Sequence, residues 1–445
     1  MTFDFFEGAA GTGKTHNLIG CAGELVQGSV LGDEHKLLAL TFMNGARRRL
    51  EARLGANPAF CRRFDCQTFD VFARTVAARR KSLLVPALEL HAATLNAFDG
   101  PCFLAASLLE TPAVREWVAR SFPLVVVDEA QDLDDHRFRI LQGLSRSCHI
   151  VAAADPFQCL TDGRETAPLI SWLEGAGQTH RLTQPMRTNQ QGLLAAARAV
   201  REGRDIRTAL TERTFKNRST WNGPGFRLFE VPATRPLVAW SIGNEIAQHN
   251  RDLFAILTPD STNTILRDAL NIVQTKQWTR KNGAAFGPYP HRWDLQDEAE
   301  ADALLAQITL PGTASYADMR VILDPLAAQV PISQALNRMD RLRRVRGQNI
   351  FSATLVTEFV HEAVRNQSRL GFRHHRGHIA MTIQRAKNRE FPNVIVLWPH
   401  SAMGSPDHLR RLLYNGITRA QSHCTVIVLG QARLNAPPFA PASIS

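Results

Sequence analysis

The sequence predicts an α/β protein with two domains, each built on a parallel sheet covered by helices. In the first half, short apolar runs alternate with amphipathic stretches, which is typical of parallel strands joined by helices. Apolar runs of strand length return in the second half, where the alternation is less clean. The 445 residues, 44% of them hydrophobic and 21% charged, are enough for two or three domains with their own cores.

The elements of the first half follow from these apolar runs. We expect strands at Phe3–Phe5, Leu37–Thr41, Leu124–Val127 and Ile150–Ala153. Helices are expected after the first three of them, at Lys14–Gln27, Asn44–Leu54 and Arg137–Leu144. Residues 83–120 have helical spacing and are expected to form a small insertion in this domain.

In the second half, five runs have the length and composition of strands: Phe226–Val231, Leu253–Leu257, Ile379–Ile383, Val394–Leu397 and Cys424–Leu429. Between residues 274 and 346 the pattern weakens, and residues 279–294 carry Gly, Pro and aromatic residues without periodicity. We therefore expect an insertion or an irregular connection there.

Composition and charge narrow the functional classes. The chain has 52 basic against 41 acidic residues, a formal net charge of +11, which favours an anionic partner and above all nucleic acid. We expect no membrane span and no secretion signal, because neither a run of about 18 apolar residues nor a basic start followed by an apolar stretch occurs. The seven scattered cysteines contain no C-x-x-C, so we expect a reduced, cytoplasmic protein without a disulfide framework or zinc ribbon.

A phosphate-binding loop follows the first expected strand. The segment GAAGTGKT fits G-x-x-x-x-G-K-[ST], and it stands between a strand and a helix, which the motif requires. Lys14 would neutralise phosphate oxygens, and Thr15 would offer its hydroxyl to Mg²⁺. The alternative is a chance match on a glycine turn. The expected nucleotide-binding residues are Gly8, Ala9, Ala10, Gly11, Thr12, Gly13, Lys14, Thr15 and His16.

Carboxylates follow the buried-type strand Leu124–Val127. An acid at the carboxyl end of such a strand can hold Mg²⁺, and a second acid beside it can orient and deprotonate the attacking water. We assign the first role to Asp128 and the second to Glu129. The alternative, a solvated acidic loop, is weakened by the phosphate loop upstream.

At residues 128–132, DEAQD, the sequence resembles the UvrD/Rep-like helicases of superfamily 1A, and further motifs lie around it in the family's order. Residues 37–54 resemble motif Ia, and CQTFDVFA at 66–73 resembles a segment that contacts single-stranded DNA. AADPFQCL at 153–160 is similar to motif III, LTQPMRT at 182–188 to motif IV, MTIQRAKNREF at 381–391 to motif V, and RRLLYNGITRA at 410–420 to motif VI.

The resemblance implies roles for residues within these motifs. Gln158 would sense the γ-phosphate, Arg187 and Arg419 would be arginine fingers, and Glu390 would lie near the ribose. Nucleic acid would be contacted by Thr41, Phe42, Thr68, Phe69, Thr382 and Lys387. For either arginine alone, a surface position is the competing interpretation.

The resemblance also implies a fold and an activity. Residues 1–187 would form a RecA-like domain 1A with a reduced 1B insertion near 83–120. Residues 188–445 would form a RecA-like domain 2A with a reduced 2B insertion near 274–346. ATP and Mg²⁺ would bind between the two domains, and hydrolysis would drive 3′-to-5′ movement on single-stranded DNA or at a single-strand/double-strand junction.

Four departures from the family pattern qualify this expectation. No glutamine motif precedes Gly8, so a preference for ATP over GTP is less secure. Motif V has Gln384, Asn388 and Arg389 where the family usually has His, Gly and Leu. Motif III lacks its usual base-stacking Tyr and Trp, and the sequence leaves open whether Trp172 substitutes.

The fourth departure is that both insertions are small. Small UvrD-like proteins of this kind include the helicase subunit of Gabija-type anti-phage systems, which works with an OLD-family nuclease. An alternative function is therefore a DNA-sensing regulatory ATPase subunit of an anti-phage or DNA-repair nuclease complex, with little unwinding of its own. An inactive scaffold is disfavoured by the intact motor residues.

Two basic clusters favour nucleic-acid binding. Between Arg47 and Lys81, ten basic residues stand against three acids, interleaved with Phe60, Phe64, Phe69 and Phe72. Between Arg338 and Arg389, twelve basic residues stand against three acids. A solvated basic face and core phenylalanines are the competing interpretations. For the run of His and Arg at residues 374–378 we expect phosphate contact or a surface loop rather than a metal site.

Overall fold

The computed structural model describes residues 3–28, 30–32, 34–42, 44–61, 63–95, 99–161, 164–215, 218–249, 253–280, 283–294, 296–371, 377–430 and 433–441. The expected surface loop at His374, His375 and Arg376 lies outside these residues.

A six-stranded, fully parallel sheet occupies the first part of the chain. Its order is β3-β2-β4-β5-β1-β6. The strands are β1 (Phe3–Gly8), β2 (Leu37–Thr41), β3 (Phe64–Thr68), β4 (Leu124–Val127), β5 (His149–Ala154) and β6 (Gln178–Leu182). The four expected strands are confirmed, and β3 and β6 are additional.

Helices cover both faces of this sheet. They are α1 (Lys14–Gln27), α2 (Asn44–Ala56), α3 (Phe69–Arg79), α4 (Pro86–Thr94), α5 (Asp99–Leu109), α6 (Pro112–Ser121), α7 (Asp135–Ser145) and α8 (Ala167–Gly175). One core lies between the sheet and helices α1 and α2. The other contains buried residues of α3 and α5 to α8, so the helices at 99–121 belong to the core of the first sheet rather than standing apart from it.

A second sheet of eight strands has the order β13-β16-β10-β17-β18-β9-β8-β7, parallel except for the antiparallel ribbon β7-β8-β9. The strands are β7 (Thr211–Phe215), β8 (Arg218–Gly223), β9 (Phe226–Val231), β10 (Phe254–Thr258), β13 (His291–Trp293), β16 (His378–Thr382), β17 (Phe391–Trp398) and β18 (Ala420–Leu429). All five strands expected in this half are confirmed.

Helices also cover both faces of the second sheet. On one face lie α9 (Gln191–Arg201), α16 (Ile383–Ala386) and α17 (Pro406–Ile417). On the other face lie α10 (Arg235–Gln248) and α11 (Thr264–Thr275). The α/β class, with two RecA-like sheets flanked by helices, is therefore confirmed.

Of the two alternatives expected between residues 274 and 346, an insertion or an irregular connection, the structure has an ordered insertion. After a small hairpin, β11 (Trp278–Thr279) with β12 (Ala285–Phe286), strand β13 joins the second sheet. Four helices follow, α12 (Gln296–Leu305), α13 (Tyr316–Leu323), α14 (Val330–Arg346) and α15 (Ala353–Gly371), with a short ladder of β14 (Thr313–Ser315) and β15 (Ile350–Ser352).

These four helices have a hydrophobic core of their own, which includes Tyr316, Met339, Phe351 and Val360. The Arg-rich exposed face of α14 hides its apolar periodicity in the sequence. Among all described residues, no helix is both long and apolar enough to span a bilayer.

Candidate active site

The phosphate loop joins the carboxyl end of β1 to the start of α1. Gly11 and Gly13 adopt left-handed φ angles of 80° and 81°, which allow the turn. A Cβ atom on Gly13 would clash with Sδ of Met186, so a side chain there would both strain the backbone and displace Met186. The Lys14 side chain is buried, and its Nζ donates to the carbonyl oxygens of Gly8 and Ala9, both at 3.0 Å. To reach a bound phosphate, this lysine must leave the carbonyls of its own loop.

Thr15 and Asp128 form the expected magnesium pair. Oγ1 of Thr15 donates to Oδ2 of Asp128 at 2.9 Å, which links the start of α1 to the end of β4. Burial, followed by the neighbouring Glu129 carboxylate, raises the pKa of Asp128 to about 6. A hydroxyl and a carboxylate suit Mg²⁺, which prefers oxygen ligands and usually shares them with substrate phosphates. Within the described residues, no three His, Cys, Asp or Glu side chains are grouped as a complete metal site.

Glu129 stands next to this pair in a left-handed conformation, with φ 58° and ψ 43°. Such a conformation is costly for a residue with a side chain and is typical of functional turns. Nε2 of Gln131 donates to Oε2 of Glu129, while Oε1 of Gln131 accepts from the backbone N–H of Asp155 at 3.0 Å. Burial raises the pKa of Glu129, but the charges of Lys387 and Lys14 outweigh it and lower the pKa overall. Glu129 is therefore ionised and oriented, as a general base must be.

The two arginines expected as fingers face the same site. Arg187 donates to the carbonyl oxygen of Thr418 at 2.6 Å and to Oε1 of Glu390 at 2.8 Å. Arg419 is 2% exposed, and its Nε donates to the carbonyl oxygen of Asn415 at 3.0 Å. Burial and then the charge of Arg187 lower the pKa of Arg419 to about 10, which leaves it cationic at neutral pH. Two positive charges are therefore held close together although they repel each other.

A cavity of about 1270 Å³ brings all six expected catalytic residues together. Its wall includes Lys14, Thr15, Asp128, Glu129, Gln158, Arg187, Glu390 and Arg419. Of the other expected nucleotide-binding residues, Gly11, Gly13 and His16 also line it, whereas Gly8, Ala9, Ala10 and Thr12 lie in the loop behind. The cavity has room for a nucleotide with its metal.

Further polar contacts join the two sheets around this cavity, in addition to those of Arg187 with Thr418 and Glu390. The backbone N–H of Ala10 donates to Oη of Tyr414 at 2.8 Å. An ion pair links Arg201 to Asp155, with NH1 2.7 Å from Oδ1. The Lys387 ammonium contacts both carboxylate oxygens of Asp132, at 2.5 and 2.7 Å.

Most of the residues expected to contact nucleic acid are buried or hydrogen-bonded within the protein, and their contacts with nucleic acid stay predictions. Thr41 and Phe69 are 0% and 1% exposed, and Phe69 belongs to the core of the first sheet. Oγ1 of Thr68 accepts from the N–H of Val71 and caps α3. Phe42 is half-buried, with the guanidinium of Arg137 5.3 Å from its ring centre. A core ring cannot stack on a base, so the expected role of Phe69 does not fit its position.

The expected motif V contacts are also engaged within the protein. Thr382 caps the short helix α16, accepting from the N–H of Arg385. The Lys387 side chain is 7% exposed and paired with Asp132, so its charge is not presented to a nucleic-acid phosphate. Asn388, where the family usually has Gly, adopts a left-handed φ of 62°. Asn adopts this conformation more readily than most other residues with a side chain.

The residues of each basic cluster have different surroundings in the structure. Arg49 and Arg53 line the large cavity, whereas Arg79 and Lys81 are exposed at the end of α3 and just after it. In the second cluster, several arginines form ion pairs with acids, including Arg338 with Glu362, Arg344 with Asp340 and Arg389 with Asp294.

The aromatic residues in and near the first cluster pack inward. Phe60 and Phe72 are 0% and 4% exposed, and Phe64 is half-buried. Trp172 makes edge contacts with Phe3 and Phe138, so its ring contributes to the core of the first sheet. Core packing, the competing interpretation of these phenylalanines, is what the structure shows, and Trp172, whose role the sequence left open, is packed as well.

Several residues at the site were not assigned from the sequence. Asp155 and Tyr414 lie within the segments resembling motifs III and VI, so the motifs themselves could have pointed to them. Arg49 was counted only as basic charge and Arg389 was named only as a departure from motif V, yet both line the cavity. Arg201 lies outside every motif, and no sequence signal marks it.

Comparisons with known families agree with this placement. A family model described as an AAA domain matches residues 4–164, which include the phosphate loop, Asp128, Glu129 and Gln158. A model of the UvrD-like helicase C-terminal domain matches residues 378–427, which include Lys387, Glu390 and Arg419. Among curated proteins, none matches the chain.

Proposed function

We propose that this chain, which the two family matches support as a UvrD/Rep-like superfamily 1 helicase, hydrolyses ATP to move along single-stranded DNA in the 3′-to-5′ direction. One observation carries the proposal. A single cavity holds a phosphate-loop lysine, an Asp–Thr pair suited to Mg²⁺, an ionised glutamate and two arginines contributed from different parts of the chain. This combination is what transfer of a phosphoryl group to water requires.

The proposed chemistry assigns one task to each group. Thr15 and Asp128 would hold Mg²⁺, which supplies neutralisation of phosphate charge when it is bound. Lys14 binds phosphate oxygens, and Glu129 orients the attacking water and accepts its proton. Arg187 and Arg419 stabilise the charge that develops on the transferred group, a contribution of about 10³–10⁵ in rate in comparable enzymes. Gln158, at the cavity wall, would sense the γ-phosphate.

We further propose that residues 1–187 and 188–445 act as two moving domains. The cavity needs Arg419 from beside the second sheet and Lys14 from beside the first, so hydrolysis depends on their closure. Nucleotide exchange would open and close the interface, and such cycles can step a protein along a strand. The small helical unit at 296–371 would then move with the second domain.

The test is ATP hydrolysis with and without single-stranded DNA, with Lys14→Ala as the control. We expect strong stimulation by DNA that weakens as salt rises and disappears in the variant, because Lys14 is needed to hold the triphosphate. Hydrolysis that persists in Lys14→Ala would contradict the assignment of the phosphate loop. RNA of the same length, and strands extended at either end, would test the preference for DNA and the direction.

A second candidate is a DNA-sensing regulatory ATPase with little unwinding of its own. It is favoured by two expected nucleic-acid contacts that are engaged elsewhere, Phe69 in the core and Lys387 on Asp132, and by Trp172, whose ring packs on Phe3. Since stacking contributes about 1–3 kcal/mol per base, a motor without these platforms would grip its strand weakly. DNA-stimulated hydrolysis without strand separation would support this candidate.

The resemblance to Gabija-type helicase subunits suggests which partner to seek. Under the second candidate, hydrolysis would gate a nuclease of the OLD family bound to this chain. Co-purification of such a nuclease with the native protein, and loss of its ATP sensitivity on Lys14→Ala, would favour the regulatory role.

A further inference from the structure

Asp155 is a fully buried carboxylate shared by groups from both sheets. It follows the end of β5 and is 0% exposed. Its Oδ1 accepts from NH1 of Arg201 at 2.7 Å and from the backbone N–H of Phe157 at 3.2 Å. Its Oδ2 lies 3.5 Å from Oη of Tyr414 and 4.0 Å from Nζ of Lys14. One carboxylate therefore stands between the phosphate-loop lysine and an arginine of the second domain.

Lys14 has a choice of partners once it leaves its loop. Its ammonium now donates to two carbonyl oxygens, and it must exchange these for phosphate oxygens when nucleotide binds. Among the described residues, Asp155 is the carboxylate that comes within 4.0 Å of its Nζ. In a site of low polarity, a carboxylate at that distance competes strongly for a lysine unless another cation occupies it.

Arg201 is that other cation. It ends helix α9, whose apolar residues pack in the core of the second sheet. Its side chain is 29% exposed, and its guanidinium lies 5.5 Å from the ring centre of Phe157 and 5.6 Å from that of Tyr414. The two rings and the carboxylate hold it in one orientation.

We propose that Arg201 is a positioning residue for Lys14: by holding Asp155, it keeps this carboxylate from capturing the lysine and so leaves Lys14 available to a nucleotide triphosphate. The inference rests on the proposed function, because it takes the phosphate loop as a nucleotide site. It goes beyond that function by making phosphate binding in the first domain depend on the position of the second.

Tyr414 provides a second connection between Asp155 and the second domain. Its Oη accepts from the N–H of Ala10 and lies 3.3 Å from NH1 of Arg201. Burial and the adjacent Asp155 raise the pKa of Tyr414 to about 12, so the phenol keeps its proton and donates it toward Oδ2 of Asp155. When the domains separate, Asp155 loses both Arg201 and Tyr414, and Lys14 becomes its remaining cation. Opening would therefore weaken the grip on phosphate and favour release of product.

The test is equilibrium binding of a fluorescent ATP analogue, mant-ATP, to four variants without turnover. Arg201→Gln should bind about tenfold more weakly than the wild type, since the freed carboxylate captures Lys14. Arg201→Lys keeps the charge and should bind within about threefold of the wild type. Asp155→Asn removes the competing charge but keeps an acceptor for Phe157, and it should bind at least as tightly as the wild type. In the double variant, Asp155→Asn should restore the affinity that Arg201→Gln loses.

The double variant separates positioning from a structural role, because general damage by Arg201→Gln would not be repaired at residue 155. Equal affinity of Arg201→Gln and wild type, or a double variant as weak as Arg201→Gln, would overturn the inference. If Arg201→Gln does not fold, Asp155→Asn is compared with the double variant. The inference requires these two variants to bind mant-ATP with equal affinity, and a tenfold difference between them would refute it. Failure of the wild type to bind mant-ATP, or equal binding by Lys14→Ala, would instead refute the proposed function.

Discussion

Replacing Asp128 by Asn should stop hydrolysis and at the same time stabilise the nucleotide-free protein. The ionised carboxylate of Asp128 destabilises the folded state, because burial and the charge of Glu129 both disfavour its ionised form. Asparagine retains an oxygen that can accept from Oγ1 of Thr15. The expected result is therefore a loss of function combined with a gain of stability.

The size of the gain follows from the pKa. A carboxyl whose pKa is raised from 3.8 to about 6 costs the folded state about 3 kcal/mol at pH 7. Solvent in the cavity reaches part of the Asp128 side chain and weakens this penalty. We therefore expect Asp128→Asn to raise the free energy of unfolding by about 2 kcal/mol. In a domain of nearly 190 residues this corresponds to an increase in Tm of about 5 °C. The gain should be complete above about pH 6, where native Asp128 is ionised, and vanish as the pH falls toward 3.8, because Asp128 then carries its proton in both the folded and the unfolded chain.

Glu129→Gln is the matched control, since it removes one negative charge at the adjacent position. The pKa of Glu129 is lowered by Lys387 and Lys14, so its ionised form is favoured in the folded state and its loss should reduce Tm. Thermal unfolding of both variants and the wild type, without Mg²⁺, at pH 7.5 and pH 4.5 measures both effects. The reasoning fails if Asp128→Asn melts at or below the wild type at pH 7.5, or if Glu129→Gln also gains stability.

Two further variants test the interface. Arg419→Ala should bind nucleotide within about threefold of the wild type yet hydrolyse it about 10³-fold more slowly, and near-normal turnover in a single-turnover assay would remove it as a finger. Lys387→Ala should lower Tm, because Asp132 is left buried without its cation, and Asp132→Asn in that background should recover part of the loss. The salt dependence of DNA binding by Lys387→Ala should equal that of the wild type. Loss of a residue that contacts a DNA phosphate would instead reduce the slope of log affinity against log salt concentration by about one.

The sequence predicted the parts of the site that depend on local motifs. Lys14 begins the helix that follows β1, Asp128 and Glu129 directly follow β4, and parallel strands place these ends along one edge of a sheet. The order of motifs also predicted that Arg187 and Arg419 face the same cavity, although 231 residues separate Arg187 from the carbonyl it binds at Thr418. What a motif fixes within one loop, or at one strand end, could be inferred without coordinates.

Burial and pairing could not be inferred in the same way. Phe69 follows a strand in a segment whose pattern suggests DNA contact, but α3 turns its ring into the core of the first sheet. Lys387 and Asp132 are 255 residues apart, and nothing in either segment marks the other as its partner. An insertion was expected near 274–346, but the helices at 296–371 were not predicted, because the exposed arginines of α14 dilute its apolar face. The burial and pairing of these residues depend on tertiary contacts, which local sequence patterns do not specify.

The contacts that Ala10, Asp155 and Asp132 make with the second sheet share one property that bears on mechanism. Each meets the first domain next to a catalytic group: Ala10 lies in the phosphate loop, Asp155 lies 4.0 Å from Lys14, and Asp132 follows Glu129 by three residues. The lysine of the third contact, Lys387, is also the largest favourable influence on the charge of Glu129. Any movement of the second domain must therefore change the surroundings of the lysine that binds phosphate and of the glutamate that activates water. Closure would assemble the arginines and set the charge state of the catalytic residues in one step.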